Sequence, residues 1–515
     1  MRRRCANCAI WGAGAPRRDD ERIFWRGRSG LLCAGKGARA VKVLLAFLAN
    51  ACVNFVIGLL IAKFLGPEEY GRFALAFAIA TVAQTALYDW LRLAATRFYS
   101  GRAPETLPFV RGTLAACFFA VTGGLFVVVT LFALIGPRLE FDNQLILLAL
   151  LTATANGLFD YYTALARARF DDGAYSRLML VKNCLALVCI GGGAFVFRSA
   201  GVALAGGVAS LMTTVVLARA ALHDPEADLG KAQSARARDF LDYSAPIVAA
   251  LLLYQAIPLA SRAIVAIVYD FAETGQFSLA YDIGFRAVLA FGTALDVLLF
   301  QIAVDARESQ GADRAREQVA ANMGIVFAIL APACVGLWIV MPSVEALLVP
   351  GQFRGPFGHY LGLLLPGLFA MALITFGLNP VFQIEKRTAP LVYAAVAAVI
   401  FAIGLLLALP WGADASNLAI AQTGGWLASL AVTIACALRV DPVWPSFRDL
   451  ALASLGTLAM YLALSPLRSL PPGVVTLLSQ IGAGVLVYGL FVAIFDIARL
   501  RRPVIEWLER TAPRA

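Results

Sequence analysis

Charge is scarce in this sequence of 515 residues. Asp, Glu, Lys and Arg make up 15% of it, against roughly 25% in a soluble globular chain. Histidine is scarcer still: His223 and His359 are the only two, and they are expected in loops on opposite sides of the molecule. That leaves no histidine pair for a metal or a general base. HExxH is absent, as is a Gly-x-Ser-x-Gly nucleophile elbow. Gly35-Lys36-Gly37 is too short to be a phosphate-binding P-loop, so ATP hydrolysis is not expected to drive this protein. Cys5 and Cys8 form a lone CxxC without a second pair, which argues against zinc. The other seven cysteines fall mostly inside apolar runs and read as small buried residues. No cofactor is expected.

What the sequence has is hydrophobic length. It is 60% hydrophobic, and its mean hydropathy is +0.76. A hydrocarbon core of about 30 Å needs about 20 apolar residues per helix, and many runs of that length follow one another here. The reading is an all-α polytopic membrane protein with about 14 transmembrane helices. The first two are expected over 43–64 and 73–93, the fifth over 178–197 and the eighth over 277–304. The net charge of +10 fits the positive-inside rule better than nucleic-acid binding. Arg97, Arg111, Arg167, Lys182, Arg236, Arg307, Arg439 and the arginines after Arg499 all fall on the side assigned to the N-terminus. The opposite side holds few basic residues, among them Lys63, Arg138 and Arg354. Both termini are therefore expected in the cytoplasm. Residues 1–40 are strongly basic and read as a disordered cytoplasmic tail or an overextended gene start.

One stretch is used twice. Glu69-Tyr70-Gly71-Arg72-Phe73-Ala74-Leu75-Ala76-Phe77-Ala78-Ile79 is matched 204 residues later by Glu273-Thr274-Gly275-Gln276-Phe277-Ser278-Leu279-Ala280-Tyr281-Asp282-Ile283. Each copy opens a long apolar run, as in proteins built from internal repeats. The expected organisation is two pseudo-symmetric six-helix lobes, 41–222 and 241–440, joined by a cytoplasmic linker over 223–240. Helices 13 and 14 follow over 441–515, with a cytoplasmic tail.

Three short stretches carry a resemblance. Lys63-Phe64-Leu65-Gly66-Pro67-Glu68-Glu69-Tyr70-Gly71-Arg72-Phe73 resembles the first-loop signature of polysaccharide exporters of the Wzx type. These belong to the multidrug/oligosaccharidyl-lipid/polysaccharide exporter superfamily. Asp242-Tyr243-Ser244-Ala245-Pro246 resembles the start of their seventh helix. Asn379-Pro380-Val381-Phe382-Gln383, followed by Lys386-Arg387-Thr388, resembles their tenth-to-eleventh helix junction. The resemblance covers residues 41 to 500. It implies a V-shaped transporter with two lobes around a central cavity. It also implies a substrate, a polyprenyl-diphosphate-linked oligosaccharide flipped by alternating access for O-antigen, exopolysaccharide or capsule. The implied partners are that lipid-linked substrate, membrane lipids and a polysaccharide polymerase. The alternative within the superfamily is a cation-coupled multidrug exporter. Where family members often carry an acidic residue before the seventh-helix arginine, this chain has Ser261-Arg262, which removes the basis for borrowing an ion-coupling role there.

Charged residues inside spans are costly and mark function. They are Asp89 and Arg92, Asp160, Arg262, and Asp282, Arg286 and Asp296. At 100° per residue the last three share a stripe about 80° wide on the eighth span. That stripe faces a cavity, or else Asp282 and Arg286, four residues apart, neutralise one another. Arg262 and Arg286, with Asp282 beside them, are the candidate substrate cavity, because a guanidinium offers a planar two-pronged fork to phosphate. Asp89, Arg92 and Asp296 are candidates for gating or coupling. Arg92 and Asp296 lie at repeat-equivalent positions with opposite charge; the alternative is that both snorkel to headgroups. Asp160 reads as a proton or sodium site or as a solvated helix-end carboxylate. Tyr88, Tyr254, Gln255 and Tyr281 are candidate sugar contacts or interfacial anchors.

Overall fold

The computed structural model describes residues 20–99, 107–135, 143–169, 172–222, 228–384, 389–410, 412–440 and 444–499. Side chains are described within these ranges except at 20–52, 132–135, 172, 219–222, 294, 296–298, 300, 301, 304–306, 308–310, 312 and 499. The chain divides into two compact units, Met1–Ala49 and Asn50–Ala515. All that follows concerns the second.

Every regular element among the described residues is helical. The first half of the chain holds α1 (Asp20–Leu87), α2 (Asp89–Phe98), α3 (Leu107–Ile135), α4 (Asn143–Ala168), α5 (Asp172–Ala186), α6 (Gly192–Phe197) and α7 (Ala200–Leu222). The second half holds α8 (Ser234–Val268), α9 (Phe271–Gln310), α10 (Ala312–Leu348), α11 (Pro356–Ala372), α12 (Asn379–Ile384), α13 (Ala389–Ala408), α14 (Ser416–Val440), α15 (Phe447–Leu464) and α16 (Val474–Phe495). Two π-helical turns, Leu187–Gly191 and Leu373–Leu378, join α5 to α6 and α11 to α12, so each pair forms one span.

Among the described residues, twelve helices are long and apolar enough to cross a membrane. The first of them, Val53–Leu87, contains the second half of the first expected span and most of the second. Gly66 separates the two with φ +77° and ψ 175°, a conformation that breaks the helix and that a residue with a Cβ rarely adopts. Pro67 then restarts the helix with its φ already set. The eighth expected span lies inside α9, which is not one of the twelve.

The outward surface is apolar. Phe126 and Val128 on α3, Leu407 on α13, and Val475 and Val485 on α16 are all more than half exposed. In water such a surface would be a liability, but against lipid it is matched to its solvent. The buried positions are instead often small or hydroxylated, including Thr152, Ser210, Thr214, Ser244 and Thr433. Small residues let helices approach closely where no hydrophobic effect drives them together. In the first half α4 packs against α2, α5 and α7; in the second, α9, α10, α11 and α14 form the core, and α13 packs on α14. Helices α15 and α16 lie against α10. Helix α8 touches α2 and α3 on one side and α9, α13 and α14 on the other, so it joins the two halves.

The duplicated stretch meets itself. A Cβ on Gly71 would overlap the carbonyl oxygen of Phe271, and a Cβ on Gly275 would overlap the carbonyl oxygen of Pro67. Pro67 and Phe271 are themselves 204 residues apart, so the contact is reciprocal, as a local twofold axis requires. The repeated glutamates act alike as well. Glu69 accepts a hydrogen bond from the backbone N–H of Ala200 at 2.7 Å, at the start of α7. Glu273 accepts one from the N–H of Ala415 at 3.2 Å, at the start of α14, and another from the hydroxyl of Tyr360. Each carboxylate thus satisfies an orphan donor and sits at the positive end of a helix dipole.

Candidate functional site

A cavity of about 190 Å³ opens just beneath the Gly71–Gly275 crossing. Its walls come from α1, α4, α5, α7 and α9. Most of the lining is apolar, with Asn54, Tyr70, Thr152, Asn156, Lys182, Ser210, Asp282 and Arg286 supplying the polar groups.

Arg286 reaches across from α9 to α1, where Nη1 donates to the carbonyl oxygen of Asn54. Gly58 makes this reach possible: a Cβ there would lie 2.6 Å from Nη1. Asp282, one turn earlier on the same face, turns to different partners. Its Oδ1 pairs with Nη2 of Arg262 at 2.5 Å, and its Oδ2 accepts from the hydroxyl of Tyr70 at 3.2 Å. The sequence left two roles open for Asp282 and Arg286, a mutual ion pair or a shared cavity face. Both line the cavity, and among the described residues no carboxylate pairs with Arg286. Spacing of i, i+4 allows a pair on one helix, but Arg262 from α8 and Tyr70 from α1 saturate the carboxylate first.

Arg262 sits behind Asp282 and does not line the cavity. It is 4% exposed, its Nη1 donates to the carbonyl of Ala74 at 3.1 Å, and its guanidinium lies over the Tyr281 ring at 5.4 Å. A buried guanidinium must be paired and hydrogen-bonded to be tolerated, and these contacts do that for both Nη atoms, leaving Nε buried without a partner. It is placed to hold Asp282 rather than to meet a ligand.

Those of the remaining candidates whose side chains are described do not line this cavity. Asp89 and Arg92 pair with each other on α2, Nε to Oδ1 at 3.2 Å. Asp296 falls on α9 but its side chain lies outside the described residues, so its expected meeting with Arg92 does too. Asp160 on α4 accepts a hydrogen bond from Gln84 Nε2 at 2.8 Å. Tyr88 bonds to Thr122 and Thr154, Tyr254 stacks on Trp426 at 5.3 Å, and Tyr281 serves as the platform for Arg262; Gln255 also lies outside the cavity lining.

Lys182 is the charged lining residue that sequence reading missed, and the polar residues Asn54, Tyr70, Thr152, Asn156 and Ser210 were not singled out either. Counted with the basic loop residues, Lys182 stands instead on α5 among the lining groups, its Nζ 5.7 Å from the Phe159 ring. The signal was present, since position 182 falls inside the span expected over 178–197. Asp282 is already paired to Arg262, so the cations that face the cavity are Arg286 and Lys182, with Asp160 of α4 within electrostatic reach of Lys182.

The helical bundle has the fold of solved MOP-superfamily transporters. Among solved structures it is similar to the lipid II flippase MurJ in an inward closed conformation, with TM-score 0.66 and 16% identity over 90% of this chain and 99% of that one. It is also similar to an inward-facing multidrug-resistance MATE transporter of the MOP superfamily, with TM-score 0.57 and 14% identity over 78% of this chain and 98% of that one. The MATE multidrug transporter DinF-BH, solved with a bound compound, gives TM-score 0.57 and 14% identity over 78% of this chain and 94% of that one. No family model and no curated protein matches the chain.

Proposed function

We propose that this chain flips a polyprenyl-diphosphate-linked oligosaccharide across the bacterial cytoplasmic membrane, supplying surface polysaccharide synthesis, with both termini in the cytoplasm. Residues 41–222 and 241–440 are the two lobes that move. The product is handed to a polysaccharide polymerase on the far side.

The observation that carries this reading is Arg286. Its guanidinium lines a cavity, is held by a backbone carbonyl rather than a carboxylate, and shares the lining with a second cation, Lys182. A diphosphate is a stronger acceptor than an amide carbonyl and would draw Arg286 into a bidentate pair. A multidrug exporter handling cations would instead need an acidic cavity, and the one carboxylate lining this cavity is already neutralised by Arg262. The similarity to a lipid II flippase over nine-tenths of the chain lends support.

The test is genetic and chemical. A deletion strain is expected to accumulate lipid-linked oligosaccharide on the inner leaflet and to lose surface polysaccharide. The wild-type gene restores both, and Arg286→Ala, present at normal level in the membrane, restores neither. Normal surface polysaccharide combined with altered drug sensitivity would replace this reading with the multidrug exporter.

A further inference from the structure

We propose that the groove between α10, α11 and α15 binds one anionic phospholipid, with its phosphate on Arg468 and an acyl chain along the groove. The lipid is a resident of the protein and not its cargo. This inference rests only on the reading of the chain as a membrane protein.

Three helix faces build the groove. Phe327 to Trp338 of α10, Gly362 to Phe369 of α11 and Ser454 to Tyr461 of α15 line it at helical intervals. Helix α10 packs against both α11 and α15, and the groove runs along the notch between those two. Its volume is about 540 Å³, against about 190 Å³ for the charged cavity. The rise from Phe327 to Trp338 is about 16 Å at 1.5 Å per residue. That is the depth of one leaflet in a hydrocarbon core of about 30 Å. The lining suits a hydrocarbon chain: the hydroxyls of Ser454 and Thr457 donate back to the carbonyls of Leu450 and Ala453 and ask for nothing from an occupant. Leu458 lines the groove and is half exposed, so the groove meets the outward surface.

A cation stands at the mouth. Arg468, in the turn after α15, places its Cζ 3.5 Å from the centre of the Trp338 ring. The Tyr461 ring lies 5.9 Å from the same indole. Contact with a ring face fixes a guanidinium without using its N–H donors. Among the described residues no carboxylate pairs with Arg468, and Glu345, further along α10, is engaged by the Gly355 N–H. The guanidinium fork is thus held open for one phosphate. An anionic phospholipid balances its charge, whereas a zwitterionic one brings an ammonium that finds no carboxylate there. The groove shares no lining residue with the cavity that holds Arg286, so a lipid can occupy it whatever the cavity contains.

The test is native mass spectrometry of the full chain, purified in a neutral detergent and titrated with phosphatidylglycerol. Wild type is expected to fill one site before any other. Arg468→Gln weakens that site about tenfold, the loss of one charge-assisted hydrogen bond. Gly362→Phe weakens it as far, because a Cβ there already stands 3.9 Å from Trp338 Nε1 and a ring would fill the groove. Arg439→Gln, in the last turn of α14, leaves it unchanged. Melting temperatures near wild type establish that each variant is folded, and Gly362→Phe decides the matter if Arg468→Gln is not. Equal affinity of the folded variant and wild type overturns the proposal. Phosphatidylcholine binding as tightly as phosphatidylglycerol also overturns it, by removing the role of charge. Displacement of phosphatidylglycerol by an equal concentration of polyprenyl monophosphate does so too, since the groove would then belong to a transported lipid. Binding requires no transport, so a failure of the flippase reading leaves this result intact.

Discussion

Arg262 and Arg286 are the same residue type on neighbouring helices, yet their surroundings assign them opposite tasks. Arg262 is buried, paired with Asp282 and bonded to the Ala74 carbonyl. Arg286 lies in the cavity wall against a single carbonyl. Their alanine variants should therefore separate stability from transport. Arg262→Ala strands the Asp282 carboxylate and is expected to cost about 3–5 kcal/mol, visible as a large drop in melting temperature in detergent. Arg286→Ala removes a partly exposed cation and should melt close to wild type while abolishing the proposed flipping. Equal losses of stability in the two variants would refute this division. The sequence made both arginines conspicuous by placing charge inside apolar runs. It offered no means of ranking them, because burial and partner choice depend on α1, which is distant in the chain. Lys182 shows the converse: its position within a span was legible, but its direction around α5 was not.

At the scale of elements, the repeated glutamates explain a motif that spacing alone could only register. Glu69 and Glu273 each accept from the first free N–H of a later helix, α7 in one half and α14 in the other. A carboxylate at that position contributes roughly 1 kcal/mol through the hydrogen bond and the helix dipole together. Glu69→Ala is expected to lower the stability of the detergent-solubilised protein by about that amount. Glu273→Ala should cost more, since Tyr360 loses its acceptor as well. The two sites share no partner, so the double variant should show additive losses within a few tenths of a kcal/mol; strong coupling would mean the halves are not independent at these points. The turn at Gly66 was readable from Gly-Pro. The ends of α7 and α14 that the glutamates cap were not, because a helix start shows that it needs an acceptor without showing which residue supplies one.

For the whole molecule, the described surface differs from that of a soluble protein: large apolar side chains cover the outside, while hydroxyls and amides such as Thr152, Ser210 and Gln422 are buried alongside an apolar core. The outer face of α3 is the clearest case, with Phe126 at 72% exposure. Phe126→Arg is expected to cost about 2.5–3.5 kcal/mol of insertion free energy and to lower membrane-integrated yield sharply. Phe126→Leu should leave yield unchanged, measured as protein recovered from the membrane fraction. An arginine tolerated there would place that face against protein instead of lipid.

The sequence by itself determined the helical membrane class, the duplication at 204 residues, and the stripe that puts Asp282 and Arg286 on one face. These are properties of a helix and its solvent, set by local periodicity and hydropathy. The tertiary structure decided which charges pair. Asp282 takes Arg262 and Tyr70 from other helices and leaves Arg286 to the cavity. Ion-pair strength in a low-dielectric interior depends on distances between elements, which no spacing along one helix encodes. It also decided that the two copies of the repeated stretch meet glycine to glycine, a contact that exists only once the two halves are brought face to face.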